Sequence, residues 1–236
     1  IIKKLKSEKS GKTSSKPKFS IRKQGVAQVC IVGLTNSGKS ALLNKLTNAN
    51  AEIAEHPYTT KEPEVGMMEY GDVQIQLVEI PSTFEPELIS IIYTCDEIIA
   101  LVDETSEEDQ WRILNGIFLR NKINQDKIIW VWTKKNDVGI EDLKQKIWNG
   151  LKLIRVYTKS PGKEKDLPAV ALKPESTVED LAKEIHKDFL NDFKFARIFN
   201  DTKFSGQKVG LDYKLRDFDV VEIHATLKPR LSRLLF

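Results

Sequence analysis

The chain of 236 residues is long enough for one large domain or for two smaller ones. Its composition, 40% hydrophobic and 30% charged with a net charge of +3, is that of an ordinary soluble protein. The sequence contains no run of eighteen apolar residues, which excludes a membrane-spanning helix, and its lysine-rich start lacks the apolar segment of a secretory signal.

The small net charge hides an asymmetry along the chain. Residues 1–24 contain nine lysines and arginines against Glu8 alone, so the remainder is net acidic. The Ser, Gly and Pro residues of this segment predict a flexible basic arm. Such an arm either only aids solubility or contacts RNA phosphates, and charge alone leaves both open. A second, shorter basic segment, residues 228–236, closes the chain.

From Val26 onward, predicted strands and helices alternate. The segment VAQVCIVG predicts a buried strand that ends at Gly33, and SALLNKLTN predicts a helix with its leucines on one face. The segment EVGMMEYGDVQIQLVEI predicts a β-hairpin with its turn at Gly71. EPELISIIYT predicts a short helix, and EIIALVD and KIIWVWT predict two more strands. Two longer helices are predicted in SEEDQWRILNGIFLRNK and GIEDLKQKIWNGL, and Ser106 is the predicted cap of the first. Strands separated by helices predict a mostly parallel sheet with helices on both faces.

After Leu151 the pattern changes to short strands around one helix. LIRVYTK and AVALK predict strands, and STVEDLAKEIHKDF predicts a helix that opens with a capping box formed by Ser176 and Glu179. Three more predicted strands follow, in FARIFN, QKVGLDY and DVVEIHA. This order predicts a β-grasp sheet. We therefore expect a basic arm at 1–24, an α/β domain at 25–151, a β-grasp domain at 152–227 and a basic tail at 228–236.

One segment, GLTNSGKS, matches the phosphate-binding pattern G-x-x-x-x-G-K-[ST] in full. It lies between a predicted strand and a predicted helix, which is the context that this loop requires. Glycines let backbone N–H groups turn toward a phosphate, and the helix N-terminus adds its positive end. Lys39 is expected to reach the β- and γ-phosphate oxygens, and the Ser40 hydroxyl to bind Mg²⁺. The predicted nucleotide-binding residues of this loop are Gly33, Asn36, Ser37, Gly38, Lys39, Ser40 and Ala41.

Two later segments are expected to complete the magnesium side of this site. Thr60 lies in the loop HPYTTKEP and is the predicted switch threonine that closes on Mg²⁺ and the γ-phosphate. In LVEIPSTF, Glu79 ends a strand and is the predicted carboxylate on the magnesium side. Glu79 and Ser82 stand where a GTPase usually has Asp and Gly. The Cβ of Ser82 hinders the peptide flip that couples this loop to the γ-phosphate, so switching stays an open question.

The base-reading segment is expected in WVWTKKND. Here Thr133 and Lys134 are followed by Asn136, with Asp137 one position later than in the usual Asn-Lys-x-Asp motif. Lys134 is predicted to lie along the base face, and Asn136 or Asp137 to reach its edge. Because an amide matches the two N–H donors of guanine less well than a carboxylate, the choice between guanine and adenine stays open.

The motifs together resemble the Obg-related, developmentally regulated GTP-binding protein (DRG) family. The segments that carry the resemblance are VGLTNSGKSALLNKLTNANAEIAEHPYTT, MEYGDVQIQLVEIP, LKQKIWNGLKLIRVYTK, STVEDLAKEIHKDFLNDFKFARIF and QKVGLDYKLRDFDVVEIH. The resemblance implies a P-loop G domain followed by a β-grasp TGS domain, and a GTPase that acts with ribosomes. It also implies Thr60 as the switch threonine and a K⁺ ion at Asn36. The small inserted domain of the family, and one strand with its loop between Val131 and Gly139, have no counterpart here, so the chain is predicted to be a reduced member.

Two functions are therefore open. The first is a slow, Mg²⁺-dependent GTPase, which converts GTP to GDP and phosphate with Lys39, Thr60 and Asn36 as catalytic residues. The alternative is a module that binds a nucleotide, is impaired in hydrolysis, and contacts RNA or protein. The expected partners are GTP or GDP and either rRNA or a ribosome-bound protein. The protein is expected to be a cytoplasmic monomer without membrane contact.

Overall fold

The computed structural model describes residues 21–47, 62–106, 109–133, 139–186, 188–200 and 205–225. These residues form two five-stranded sheets, each with its own helices. None of the helices within these ranges is long and apolar enough to cross a membrane.

The first sheet is mostly parallel, as the sequence pattern predicted. Its strands are β1 (Ala27–Gly33), β2 (Glu64–Tyr70), β3 (Val73–Glu79), β4 (Glu97–Asp103) and β5 (Ile128–Thr133). Their order across the sheet is β2-β3-β1-β4-β5, and β2 and β3 form the predicted antiparallel hairpin. Strand β5 is an edge strand among the described residues. Residues 134–138, where the resemblance implied a missing strand and loop, lie outside them.

Helices cover both faces of this sheet, which explains why β1 and β4 are buried along their whole length. The helices are α1 (Lys39–Leu46), α2 (Pro86–Thr94), α3 (Gln110–Arg120) and α4 (Ile140–Leu151). On one face, α1 and α4 pack against residues such as Ile31 and Leu77. On the other, α2 and α3 pack against residues such as Val32 and Val78. Cys30 and Cys95 are buried free thiols.

The second sheet has the β-grasp arrangement predicted from the order of its elements. Its strands are β6 (Ile154–Thr158), β7 (Val170–Leu172), β8 (Phe193–Phe199), β9 (Gln207–Val209) and β10 (Val220–Ala225). They run in the order β7-β6-β10-β8-β9, with β6 and β10 parallel. Helix α5 (Val178–Ile185) packs on one face of the sheet, and the short helix α6 (Asp188–Asn191) follows it.

Two predicted helix caps are wrong. Helix α3 is capped by Asp109, whose carboxylate accepts a hydrogen bond from the Arg112 N–H at 3.0 Å, and not by Ser106. The Ser106 N–H instead donates to the Asp103 carbonyl in a turn at the end of β4, so the helix begins later.

The capping box of α5 lies one residue later than predicted. It is formed by Thr177 with Asp180, and not by Ser176 with Glu179. The Ser176 carbonyl accepts a hydrogen bond from the Leu215 N–H at 2.8 Å, which ties Ser176 to a neighbouring segment before the helix starts.

The tip of the β2–β3 hairpin contacts the second sheet. The Tyr157 hydroxyl donates to Asp72 Oδ2 at 2.6 Å, and the Ala169 N–H donates to the Asp72 carbonyl at 2.9 Å. The guanidinium of Arg155 lies 5.0 Å from the ring centroid of Trp148 on α4. Tyr157 and Ala169 are buried in the same apolar cluster as Trp148. The two sheets therefore share a packed junction built on this hairpin.

Candidate functional site

The phosphate-binding loop lies at the carboxyl end of the parallel strands, where ligands bind in open α/β sheets. It joins the end of β1 at Gly33 to the start of α1 at Lys39. No side chain of the described residues caps the N-terminus of α1, so its first N–H groups are available to an anion. Asn36 has φ of 64°, which turns the loop within the left-handed region.

Two glycines of the loop are required for different reasons. A Cβ at Gly33 would lie 2.4 Å from Ser37 Oγ, so space excludes any side chain there. A Cβ at Gly38 would meet no atom within 4 Å, but φ of 91° is a conformation that other residues rarely adopt. Close packing thus requires glycine at position 33, and backbone conformation requires it at position 38.

Lys39 is almost fully buried inside the loop. Its ammonium donates to the Leu34 carbonyl at 3.1 Å and to Ser82 Oγ at 2.9 Å. The Ser82 hydroxyl in turn donates to the Gly33 carbonyl at 3.0 Å. Burial lowers the pKa of Lys39, and the nearby carboxylate of Glu79 partly offsets this effect. Lys39 is the side chain that would neutralise phosphate charge, and Ser82 in the loop after β3 helps to hold it in place.

Ser40 and Glu79 meet on the other side of the loop. The Ser40 hydroxyl donates to Glu79 Oε1 at 3.0 Å. Glu79 Oε2 is buried and has no hydrogen-bond partner among the described residues. Burial raises the pKa of the Glu79 carboxyl, and the Glu64 charge adds to this, whereas the Ser40 bond and Lys39 oppose it. A hydroxyl beside a carboxylate with a free oxygen fits Mg²⁺, which prefers oxygen ligands.

Thr133, the start of the predicted base-reading segment, contacts the phosphate loop directly. Its hydroxyl lies 3.2 Å from the Ser37 carbonyl and 3.3 Å from the Val102 carbonyl, within hydrogen-bond distance of both. Ser37 is buried, and its Oγ has no partner in the described part of the chain. This contact fixes the end of β5 beside the loop.

The structure brings most of the predicted site residues together at the carboxyl ends of the strands of the first sheet. That group comprises Gly33, Asn36, Ser37, Gly38, Lys39, Ser40, Ala41, Glu79 and Thr133. The side chains of Asn36 and Ala41 are exposed there. The predicted residues Thr60, Lys134 and Asn136 lie outside the described residues. Within those residues, no three His, Cys, Asp or Glu side chains cluster as a metal site of their own.

Sequence reasoning missed the side chain of Ser82. It considered only the backbone of this residue, because the usual motif has glycine there. The signal was present, since a hydroxyl three residues after the predicted magnesium carboxylate lies within reach of the phosphate loop. The contact of its hydroxyl with Lys39 is a property that glycine cannot supply.

Two protein families match the chain. The 50S ribosome-binding GTPase family matches residues 28–159, and the TGS domain family matches residues 154–225. The two matches overlap on β6, which pairs with β7 and β10 and thus belongs to the second sheet.

Individual proteins resemble the chain over most of its length. An uncharacterized GTP-binding protein of Methanocaldococcus jannaschii is 25% identical, over 87% of this chain and 80% of that protein. Developmentally-regulated GTP-binding protein 1 of Xenopus laevis is 24% identical, over 87% of this chain and 84% of that protein. Ribosome-interacting GTPase 1 of Saccharomyces cerevisiae is also 24% identical, over 87% of this chain and 84% of that protein. These relatives confirm the resemblance to the DRG family.

The alignments also confirm that the chain is a reduced member. The alignment to the M. jannaschii protein has 311 positions, whereas 87% of 236 residues is about 205. About a third of the aligned positions therefore have no residue in this chain, and the relatives are longer inside the matched region.

Proposed function

Because the chain belongs to the 50S ribosome-binding GTPase family and ends in a TGS domain, we propose that it is a slow, Mg²⁺-dependent GTPase that works with ribosomes. The observation that carries this proposal is the complete phosphate loop, with Lys39 buried inside it and Ser40 beside Glu79 at 3.0 Å. The name of the yeast relative, a ribosome-interacting GTPase, supports the ribosome as the proposed partner.

Each group in the site has a proposed role. The N–H groups that open α1 bind phosphate oxygens, and Lys39 neutralises charge on the β- and γ-phosphates. Ser40, Glu79 and Thr60 hold Mg²⁺, which when bound neutralises charge on the same phosphate oxygens. Thr133, Lys134 and Asn136 line the base. Catalysis then rests on charge stabilisation and on the position of the attacking water.

Asn36 has a separate proposed role as a ligand of K⁺. Its left-handed backbone places it on the exposed side of the phosphate loop. A monovalent cation there would add a positive charge beside the phosphates, where hydrolysis develops negative charge. This role depends on the side-chain amide oxygen and not on the backbone of the loop.

Calorimetric titration with GDP, GTP, ADP and ATP, each with Mg²⁺, tests nucleotide binding. We expect binding of the guanine nucleotides and its loss in Lys39→Ala. Lys45→Ala is the matched control, because it removes the same charge from an exposed position on the same helix. If none of the four nucleotides binds, the proposed function is wrong.

A second function is favoured by one contact in the site. The Lys39 ammonium donates to Ser82 Oγ, which competes with a γ-phosphate for its charge and favours a module that binds nucleotide but hydrolyses it poorly. Measuring phosphate release in the presence and absence of ribosomes separates the two functions. Release accelerated by ribosomes supports the GTPase, whereas tight binding without release under either condition supports the module.

Ribosome association is proposed for the intact chain, through rRNA or a ribosome-bound protein. Cosedimentation with ribosomes through a sucrose cushion, with GDP or with a non-hydrolysable GTP analogue, measures it directly. We expect more protein in the ribosome pellet with the GTP analogue. Absence from the pellet with both nucleotides would contradict the proposed partner while leaving nucleotide binding intact.

A further inference from the structure

Two carboxylates face each other where the β2–β3 hairpin reaches the phosphate loop. Glu64, the first residue of β2, is the direct cross-strand partner of Glu79, the last residue of β3. Directly opposed residues of an antiparallel pair lie on the same face of the sheet, with Cβ atoms about 4.5–5.5 Å apart. We call Glu64 and Glu79 the acidic pair. Like charges in this arrangement destabilise a sheet unless another group compensates them.

The acidic pair lies on the face of the first sheet that α1 covers. Side chains alternate between faces along a strand, so Glu64 shares its face with Gly66. A Cβ at Gly66 would lie 2.6 Å from Thr47 Cγ2, so this face of β2 packs against the C-terminal end of α1. At the N-terminal end of the same helix, the Ser40 hydroxyl donates to Glu79. The acidic pair is therefore beside the residues that open α1.

The charge of Glu64 is not compensated by the described part of the chain. Its side chain is exposed, and its carboxylate has no ion pair or hydrogen bond with any described residue. Glu79 Oε2 also lacks a partner there, although it is buried. Burial raises the pKa of the Glu79 carboxyl, and the Glu64 charge adds to this rise, so the two carboxylates interact. Unpaired carboxylate oxygens side by side indicate that a cation completes the acidic pair.

The spacing of the oxygens beside the acidic pair fits Mg²⁺. Ser40 Oγ and Glu79 Oε1 are 3.0 Å apart. Mg²⁺ binds oxygen ligands at about 2.0–2.1 Å in octahedral geometry, so two neighbouring ligands on one ion lie about 3 Å from each other. Because Mg²⁺ usually keeps several waters, a carboxylate such as Glu64 can act on it directly or through a water ligand.

We propose that Glu64 is a second carboxylate on the magnesium side of the nucleotide site, and that it makes nucleotide binding depend more strongly on Mg²⁺ than Glu79 alone would. The inference deepens the proposed function and rests on it. Without the cation, the charge of Glu64 repels the phosphates. With Mg²⁺, the same charge attracts the ion that the phosphates share. Glu64 thus acts in opposite senses in the two conditions.

A carboxylate near the N-terminus of a helix has a simpler role to exclude. Such a group stabilises the positive end of the helix, and the first turn of α1 contains no acidic residue of its own. A helix-stabilising role predicts that loss of Glu64 lowers stability and changes nucleotide affinity equally with and without Mg²⁺. The proposed role predicts changes of opposite sign in the two conditions.

The test measures the affinity of the full chain for a fluorescent, non-hydrolysable GTP analogue, in a series of Mg²⁺ concentrations and in EDTA. Glu64→Gln removes the charge and keeps the size of the side chain. Glu69→Gln is the matched control, because it removes the same charge from an exposed position near the other end of β2, on the opposite face. Glu64→Asp keeps the charge on a shorter side chain. Thermal unfolding of each variant reports whether it is folded.

We expect Glu64→Gln to bind the analogue about threefold more tightly than the wild type in EDTA, because one negative charge near the phosphates is gone. With Mg²⁺, the same variant should need about tenfold more of the ion for half-maximal binding. Glu64→Asp should keep the wild-type affinity in EDTA, because it keeps the charge. Glu69→Gln should stay within about twofold of the wild type in both conditions, since solvent and salt screen a charge at that distance.

Three results would overturn the inference. Equal shifts of the Mg²⁺ requirement in Glu64→Gln and Glu69→Gln would assign the effect to net charge. Equal weakening of Glu64→Gln with Mg²⁺ and in EDTA would assign Glu64 a structural role. Unchanged affinity of Glu64→Gln in both conditions would leave it without a role in the site.

Titration of the protein with Mn²⁺ in the absence of nucleotide separates failure of this inference from failure of the proposed function. Mn²⁺ also prefers oxygen ligands, and the loss of its free-ion EPR signal measures binding. The wild type should bind Mn²⁺ more tightly than Glu64→Gln. If the wild type binds no nucleotide, the proposed function is wrong, and this titration alone decides on the acidic pair. Equal Mn²⁺ binding by the two proteins would then overturn the inference.

Discussion

Ser82→Ala should strengthen nucleotide binding, although it removes a hydrogen bond from the site. The Lys39 ammonium is shared between Ser82 Oγ at 2.9 Å and the Leu34 carbonyl at 3.1 Å. To reach a phosphate, the ammonium must give up at least one of them. Alanine removes the serine acceptor that competes with the phosphate for this ammonium, so we expect binding to cost less. The φ angle of residue 82 is not positive, so alanine fits the backbone there.

The magnitude follows from the energy of the contact. A hydrogen bond to a charged group contributes about 1.5–3 kcal/mol. We take the low end, because the ammonium keeps its bond to Leu34 in the variant. A difference of about 1.4 kcal/mol corresponds to a factor of ten in affinity. We therefore expect Ser82→Ala to bind a non-hydrolysable GTP analogue about tenfold more tightly than the wild type.

Calorimetry and thermal unfolding together provide the assay. The same lost bond should lower the melting temperature of the nucleotide-free variant, because Lys39 is left with one partner while buried. The expected signature is thus lower stability without nucleotide and a larger stabilisation by it. Thr83→Ala, at the exposed neighbouring position, should change neither quantity. Affinity equal to or weaker than that of the wild type would refute the reasoning and assign Ser82 a role in the bound state.

Three further predictions concern other parts of the molecule. Burial raises the pKa of Glu97 from 4.5 to about 7, so the folded state binds its proton more tightly and stability falls as pH rises through that window. Glu97→Gln should remove this fall and be about 1–3 kcal/mol more stable than the wild type at pH 8 in thermal unfolding. Tyr157→Phe removes the 2.6 Å bond to Asp72 and should cost about 1 kcal/mol of unfolding free energy, measured in urea. Replacing K⁺ by Na⁺ should slow phosphate release in the wild type but not in Asn36→Ala; equal wild-type rates would remove the cation role.

The predictions that the structure confirms rest on local patterns. The phosphate loop follows from eight consecutive residues, and the β2–β3 hairpin follows from alternation on both sides of Gly71. Buried strands such as β4 are recognisable because every residue is apolar except at the ends. These features depend on neighbours in sequence, and so they are visible without the fold.

The features that sequence reasoning missed depend on residues far apart in the chain. Both displaced helix caps lie where a backbone hydrogen bond holds the predicted cap residue in an extended segment or a turn, and this competition is not visible in a capping pattern. The docking of Asp72 against Tyr157 joins residues 85 apart. Helix and strand patterns do not specify this contact.

The two unusual residues after β3 have one structural consequence. Parallel pairing sets Ile31 of β1 opposite Glu79, so the end of β3 lies directly beside the phosphate loop. There Glu79 binds the Ser40 hydroxyl, and Ser82 binds the Lys39 ammonium. Ser40 and Lys39 are the side chains proposed to bind magnesium and phosphate. Each of them is thus hydrogen-bonded to one residue of the Glu-x-x-Ser pair. We expect nucleotide binding to rearrange both contacts, so Glu79 and Ser82 would couple the loop after β3 to occupancy of the site.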